Sequence, residues 1–108
     1  MKWQSLNSER VLKDIIQKSL TKPQIIFKHS TTCPISAMAK NRLESSWDLE
    51  YDAHYLDLIS YRSISNAIAD QLSVKHESPQ VIVIKNGEAI YNESHLDINI
   101  EDIKASLL

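Results

Sequence analysis

A second cysteine is missing from this chain. Cys33 stands alone, so no internal disulfide can form, and a disulfide-stapled secreted scaffold is excluded. Glycine is equally scarce: Gly87 is the single one, as expected of a chain made mostly of regular elements. No apolar run approaches the roughly eighteen residues of a membrane span. The N-terminal stretch Met1-Lys2-Trp3-Gln4-Ser5 lacks the apolar segment of a secretory leader. The expectation is therefore a cytoplasmic protein. A strong charge of one sign is also lacking. The formal net charge is −2, which gives no reason to expect nucleic acid or an anionic membrane as partner. The four histidines, His29, His54, His76 and His95, are scattered. None has ligand spacing with the cysteine, so no metal site is expected.

What remains is a 108-residue chain that is 43% apolar, enough for one core and a single domain over 1–108. It has no internal repeat, linker or low-complexity tract. A first helix is expected from about Ser8 to Leu20, with Val11, Leu12, Ile15, Ile16 and Leu20 on one face. Thr21-Lys22-Pro23-Gln24 ends it. Ile25 to His29 reads as a strand buried on both faces. Pro34 to Ser45 reads as a second helix with Ile35, Met38, Ala39, Leu43 and Trp47 as its stripe. Pro34 suits the first helical position, which makes Cys33 the N-cap. Tyr51 to Leu58 is the next strand. Ser60 is expected to cap a third helix with Tyr61, Ile64, Ile68 and Leu72 inward. Val81 to Ile84 is the most β-branched stretch. Asn86-Gly87 then signals a hairpin into Ala89–Asn92, because both central residues need positive φ. Asn99 caps a last helix with Ile100, Ile103 and Leu107 on the core. Trp3, Trp47 and the tyrosines, Tyr91 among them, read as packing residues.

The resulting order is α-β-α-β-α-β-β-α. Helical links between the first three strands imply parallel crossovers, and an antiparallel hairpin follows. The expected class is α/β, a thioredoxin-like fold with a mixed four-stranded sheet flanked by helices.

Cys33 lies after the strand end, in His29-Ser30-Thr31-Thr32-Cys33-Pro34-Ile35-Ser36. A core cysteine belongs inside a strand or on an apolar stripe. This one sits where a loop meets a helix, at the carboxyl end of a strand, where ligands gather in α/β folds. Helix-start N–H groups and the helix dipole favour a thiolate, the form that attacks disulfides. Ser36 occupies the second cysteine's place in a C-x-x-C motif. It either supports the helix start by hydrogen bonding or helps hold the thiolate, and in both cases Cys33 must wait for an outside thiol. Pro79, in Ser78-Pro79-Gln80-Val81, is either a strand-entry proline or the second residue of a cis peptide bond. Lys28, His29, Lys75 and His76 fall near element ends on the cysteine's side. They are either solvated surface charges or a mildly positive rim that attracts an anionic thiol. A Cys–His hydrolase would need an oriented histidine and an oxyanion hole, and neither is visible.

Ser30-Thr31-Thr32-Cys33-Pro34-Ile35-Ser36, followed by Ser78-Pro79-Gln80-Val81 and the Lys85-Asn86-Gly87-Glu88 turn, resembles the monothiol bacilliredoxins of the T-C-P-I-S type. The Trp-Cys-Gly-Pro-Cys of thioredoxins and the Cys-Gly-Phe-Ser of cluster-binding glutaredoxins are absent. The resemblance implies removal of bacillithiol from S-bacillithiolated proteins through a Cys33 mixed disulfide. It implies no bound cofactor, with bacillithiol as the co-substrate thiol. Cys33 would attack, and Ser36 would stand where a resolving cysteine would be. Thr32, Pro34 and Ser78 would shape the site, with Pro79 in the cis form facing Cys33. The partners expected are bacillithiol and bacillithiolated proteins, and the chain is expected to be a monomer or weak dimer. The alternative is a non-catalytic thioredoxin-fold binding module, or a redox sensor in which Cys33 is only a site of oxidation.

Overall fold

Val81, Ile82, Val83 and Ile84 are all without solvent exposure, because their strand lies inside a sheet covered on both faces. In the computed structural model, which describes residues 1–108, the elements are β1 (Trp3–Ser5), α1 (Glu9–Lys18), β2 (Gln24–His29), α2 (Pro34–Ser46), β3 (Asp52–Asp57), α3 (Arg62–Leu72), β4 (Gln80–Lys85), β5 (Glu88–Ser94), a 3₁₀ turn (His95–Asp97) and α4 (Ile100–Ser106). The sheet has five strands in the order β1-β3-β2-β4-β5. β1, β3 and β2 run parallel, and β4 and β5 are antiparallel to their neighbours.

Side-chain alternation divides the core into two layers. On one face Ile26, Leu56, Ile82 and Ile84 pack with Leu12 and Ile15 of α1 and with Ile64, Ile68 and Leu72 of α3. On the other, Ile25, Phe27, Val81 and Val83 pack with Ala39 and Leu43 of α2 and Ile103 of α4. Trp3, Trp47 and Tyr91 pack at the margin of this second layer.

The sequence reading needs four corrections. The sheet has a fifth strand, β1, paired Trp3 to Ala53 and Ser5 to Tyr55. Three residues are too few to display a period of two. Leu20 is 52% exposed, because α1 stops at Lys18 and the chain turns at Ser19 before Leu20 can return to the stripe. In α2 the buried residues are Ser36, Ala39 and Leu43, whereas Ile35 and Met38 face outward. Ala39 and Leu43 are inward as expected, but a serine takes the core place on the first turn that the apolar stripe gave to Ile35. Ser60 does not cap α3. Asp57 holds the preceding turn instead, accepting from the Ile59 amide at 3.2 Å and the Ser60 hydroxyl at 3.0 Å. The helix therefore begins after Tyr61, which is its N-cap and is exposed rather than inward as expected, while Ile64, Ile68 and Leu72 are inward.

The remaining punctuation follows the expected chemistry. The Ser8 hydroxyl accepts from the Val11 amide at 3.2 Å, and the Asn99 side chain accepts from Asp102 at 2.8 Å. Asn86 and Gly87 both have positive φ, 55° and 79°, between the paired residues Lys85 and Glu88. The hairpin is tied to α1, since Ser19 takes the Asn86 amide on its carbonyl at 2.8 Å and the Gly87 amide on its hydroxyl at 2.9 Å.

His54 is a buried titratable group in the α1/α3 layer. Its Nε2 donates to Gln24 Oε1 at 2.8 Å, while Nδ1 has no protein partner. Burial pushes its pKa down to about 4, against a smaller opposing pull from Asp52. The unfolded chain takes up this proton near the ordinary value of 6.5, and the folded protein does so only near 4. Stability attributable to His54 is thus complete above pH 6.5 and is lost as pH falls towards 4. We expect the urea midpoint of the wild type to fall faster across that window than that of His54→Asn. Parallel curves would show that His54 does not titrate as described.

Candidate active site

β2 runs in the centre of the sheet, and every residue from Gln24 to His29 is buried. Its last residue, His29, points to the same layer as Phe27, and Lys28 points to the opposite one. The chain then leaves the sheet as Ser30-Thr31-Thr32 and enters α2 at Cys33. Cys33 is the N-cap, with extended φ −102° and ψ 118°. Its carbonyl accepts from the Ala37 amide at 3.1 Å, and its amide donates to the Ser30 carbonyl at 3.2 Å. Pro34 fills the first helical position, as expected, and the first turn carries no acidic side chain. The free thiol is half-buried, and no carboxylate in that turn opposes a thiolate. The unpaired amides of a first turn favour an anion there. Ile35 and Met38, turned away from the core, leave apolar side chains exposed on the first turns of α2.

Ser36 has no solvent exposure. Its Oγ accepts the Ser30 amide at 3.0 Å and lies 2.7 Å from His29 Nδ1. The serine thus bonds to the strand end and the loop, and no hydrogen bond joins it to Cys33. Thr32 is exposed and meets the Ser30 hydroxyl at 3.4 Å. His29 is 6% exposed, with ring centroids 5.9 Å from Phe27 and 5.4 Å from Tyr55. Burial, then Lys40, hold its pKa below the ordinary histidine value, while Asp57 and Glu44 pull the other way.

Lys28 and His29 are therefore not rim residues. Strand alternation sends both inward, one to each layer. Lys28 is 1% exposed, and its Nζ donates to His76 Nδ1 at 2.7 Å. The Ser65 hydroxyl of α3 reaches the same nitrogen at 3.1 Å. Burial lowers the Lys28 pKa to about 8, against the pull of Glu77. Lys75 and His76 are exposed residues. Lys75 lies 3.9 Å from Glu77, which also meets His95 at 3.5 Å. The expected positive rim thus reduces to Lys75 and a partly engaged His76, with an acid between Lys75 and His95. Burial, then Lys28, lower the His76 pKa.

The Ser78-Pro79 peptide bond is cis, and Pro79 is buried. Gln80 pairs with Lys28 across the sheet, so Pro79 sits one residue beyond, at the level of His29 and the mouth of the Cys33 loop. The Pro79 carbonyl accepts from the His95 amide at 3.0 Å, and the Gln80 amide group donates to the Lys75 carbonyl at 3.0 Å. The structure brings Cys33, Pro34, Ser36, Ser78 and Pro79 to one end of the sheet. Ser65 was absent from the sequence reading. That reading placed Lys28 and His29 both in a strand buried on both faces and among surface or rim charges, and their burial agrees with the first. The period of two through Ile25, Phe27 and His29 gives the layer that His29 enters. No three His, Cys, Asp or Glu side chains gather within metal-binding reach, and no helix is long and apolar enough to cross a membrane.

Comparison with known proteins agrees with this geometry. The family model for the monothiol bacilliredoxin BrxC matches residues 4–103. A solved structure described as a candidate oxidoreductase with a thioredoxin fold is 34% identical, with a TM-score of 0.86 over 96% of this chain and 92% of that one. Thioredoxin from Malassezia sympodialis is 18% identical with a TM-score of 0.74, over 98% of this chain and 88% of its own. The long form of spinach chloroplast thioredoxin f is 14% identical with a TM-score of 0.75, over 99% and 88%. The last two show the fold alone, and that fold is thioredoxin's.

The buried amine offers a direct test. The unfolded chain holds the Lys28 proton up to about 10.5, whereas the folded protein gives it up near 8. The penalty for burying the charge is complete below pH 8 and is relieved as pH rises towards 10.5. Relative to Lys28→Met, wild-type stability should therefore climb from pH 8 upward. At neutral pH the methionine variant should be at least as stable, since apolar replacement of a buried charge is commonly neutral or stabilising. A variant that unfolds at neutral pH, or a constant difference across pH, contradicts this account.

Proposed function

The chain belongs to the monothiol bacilliredoxin family, and from that premise we propose that Cys33 removes bacillithiol from S-bacillithiolated proteins by thiol–disulfide exchange. Family and fold support a thiol redox function. The observation that carries the finer reading is a single half-buried thiol at a helix start, with the place three residues on filled by a buried serine that is hydrogen-bonded elsewhere.

The chemistry then takes two exchanges. Cys33 thiolate attacks the bacillithiol-side sulfur of the mixed disulfide. That disulfide breaks, the target leaves as a thiolate, and a Cys33–bacillithiol disulfide forms. A second bacillithiol thiolate attacks this bond, releases Cys33 thiolate and leaves as bacillithiol disulfide. Each step makes one S–S bond and breaks one, so no net oxidant is consumed on the protein. Ser36 has no sulfur with which to displace the adduct, which makes the second molecule obligatory. The outward Ile35 and Met38 offer apolar contact to the protein part of the substrate. The reading places the protein in the cytoplasm of a cell that uses bacillithiol, with no resident cofactor.

Incubation with a bacillithiolated target should place one bacillithiol mass on Cys33 while the target loses the same mass. Cys33→Ser should transfer none. No adduct on wild type, or equal release by the serine variant, would overturn the proposal.

A further inference from the structure

His29 and Ser36 flank the Cys33 loop on both sides, and neither is accounted for by the exchange chemistry. His29 ends β2, and Ser36 lies in the first turn of α2. Two hydrogen bonds close the loop between them. The Cys33 amide donates to the Ser30 carbonyl at 3.2 Å, and the Ser30 amide donates to Ser36 Oγ at 3.0 Å. The second is available only while the serine hydroxyl is correctly turned, and its turn is set by the ring nitrogen 2.7 Å away.

We propose that His29 is a positioning residue for the thiol: through Ser36 it holds the 30–33 loop in the arrangement that presents Cys33 for exchange. Ser36 on this view is a hydrogen-bond hub rather than an empty resolving position. The inference rests on Cys33 being the exchanging thiol, and it is independent of which thiol compound it takes.

The proton arrangement supports it. Serine has one donor and two acceptor sites. With neutral His29 protonated at Nε2, the Ser36 hydroxyl donates to Nδ1 and accepts the Ser30 amide, and all three groups are satisfied. With imidazolium, Nδ1 must donate. Ser36 Oγ then receives two N–H groups, and its own hydrogen needs a new acceptor in a residue with no solvent exposure. An unpaired buried donor is costly, so protonating His29 works against the loop closure. Several groups around the ring bear on its charge: burial and Lys40 of α2 oppose it, whereas Asp57 of β3, a backbone hydrogen bond with Ser36 and Glu44 of α2 favour it, and burial is the largest of these. Burial keeps the ring in the neutral form that the closure needs. A cysteine at position 36 could not take the same part. Its S–H is a weak donor and its sulfur a weak acceptor.

The test follows exchange of Cys33 with 5,5′-dithiobis(2-nitrobenzoate), a probe that needs no bacillithiol. Rates are expressed per thiolate, with the thiolate measured separately at each pH. At neutral pH Ser36→Ala should be slower per thiolate by roughly three- to tenfold, the size expected for one buried hydrogen bond. The Ser30 amide, bonded to Ser36 Oγ, should be protected from hydrogen exchange in the wild type and lose that protection in Ser36→Ala. His29→Asn, whose side-chain oxygen can accept from Ser36 but does not titrate, should stay within about twofold of wild type at neutral pH. The wild-type rate per thiolate should fall on the acid side as His29 protonates, and His29→Asn should lack that fall. Ser36→Ala with wild-type rate and amide protection overturns the inference, as does an acid fall that persists in His29→Asn. A wild-type Cys33 inert to the probe overturns the exchange reading and this inference with it.

Discussion

The structure depends on β2 being hydrogen-bonded on both edges and covered on both faces. It pairs with β3 on one side and β4 on the other, and all its residues are buried. A strand so placed has no freedom of register, since a slip of one residue would exchange every side chain between the two layers. The constraint reaches to its last residues. Lys28 must enter the α1/α3 layer and His29 the α2/α4 layer, whatever their solubility in water would prefer. The point where the chain leaves the sheet is then set, and with it the start of α2 and the place of Cys33.

Both inward side chains at the end of β2 find a partner. Lys28 donates to His76, which the Ser65 hydroxyl also reaches, and His29 meets Ser36. The Cys33 end of the sheet is thereby held from both sides by hydrogen bonds, which are directional, as well as by apolar packing, which is not. The arrangement accepts buried polar groups whose desolvation is unfavourable. In return, the 74–79 segment and the 30–33 loop are each anchored to the rigid central strand.

The thiol itself is set up sparingly. It has a helix start, a proline at the first helical position and no neighbouring acid in that turn. The second position of the motif belongs to the scaffold rather than to the chemistry. In a dithiol protein two sulfurs divide the cycle between them. Here there is one sulfur, and a buried serine hydrogen-bonded to the Ser30 amide and to His29 stands in the place of the other. On the proposed mechanism, dependence on a second small thiol and a well-held loop would be two consequences of the same serine.

Much of this was legible in the chain. The Asn86-Gly87 turn, the Asn99 cap, the proline-led α2 and the β-branched β4 all rest on interactions between neighbours in sequence, so a sequence contains them. The motif around Cys33 likewise pointed to its family. Other features depended on tertiary contacts. β1 is a strand only because β3 offers it an edge. In α2 the inward place on the first turn went to Ser36, which meets His29, while Ile35 and Met38 stayed outside. Lys28 and His29, charged or polar by composition, were read as surface. Residue type predicts burial from the cost of leaving water, and only the assembled layers supply the partners that offset it. The sequence by itself determined that there is one thiol, that it stands at a helix start and that it has no internal partner. The tertiary structure decided which groups bond the loop that leads to that thiol, because they lie on separate strands, loops and helices and meet only when the sheet is covered.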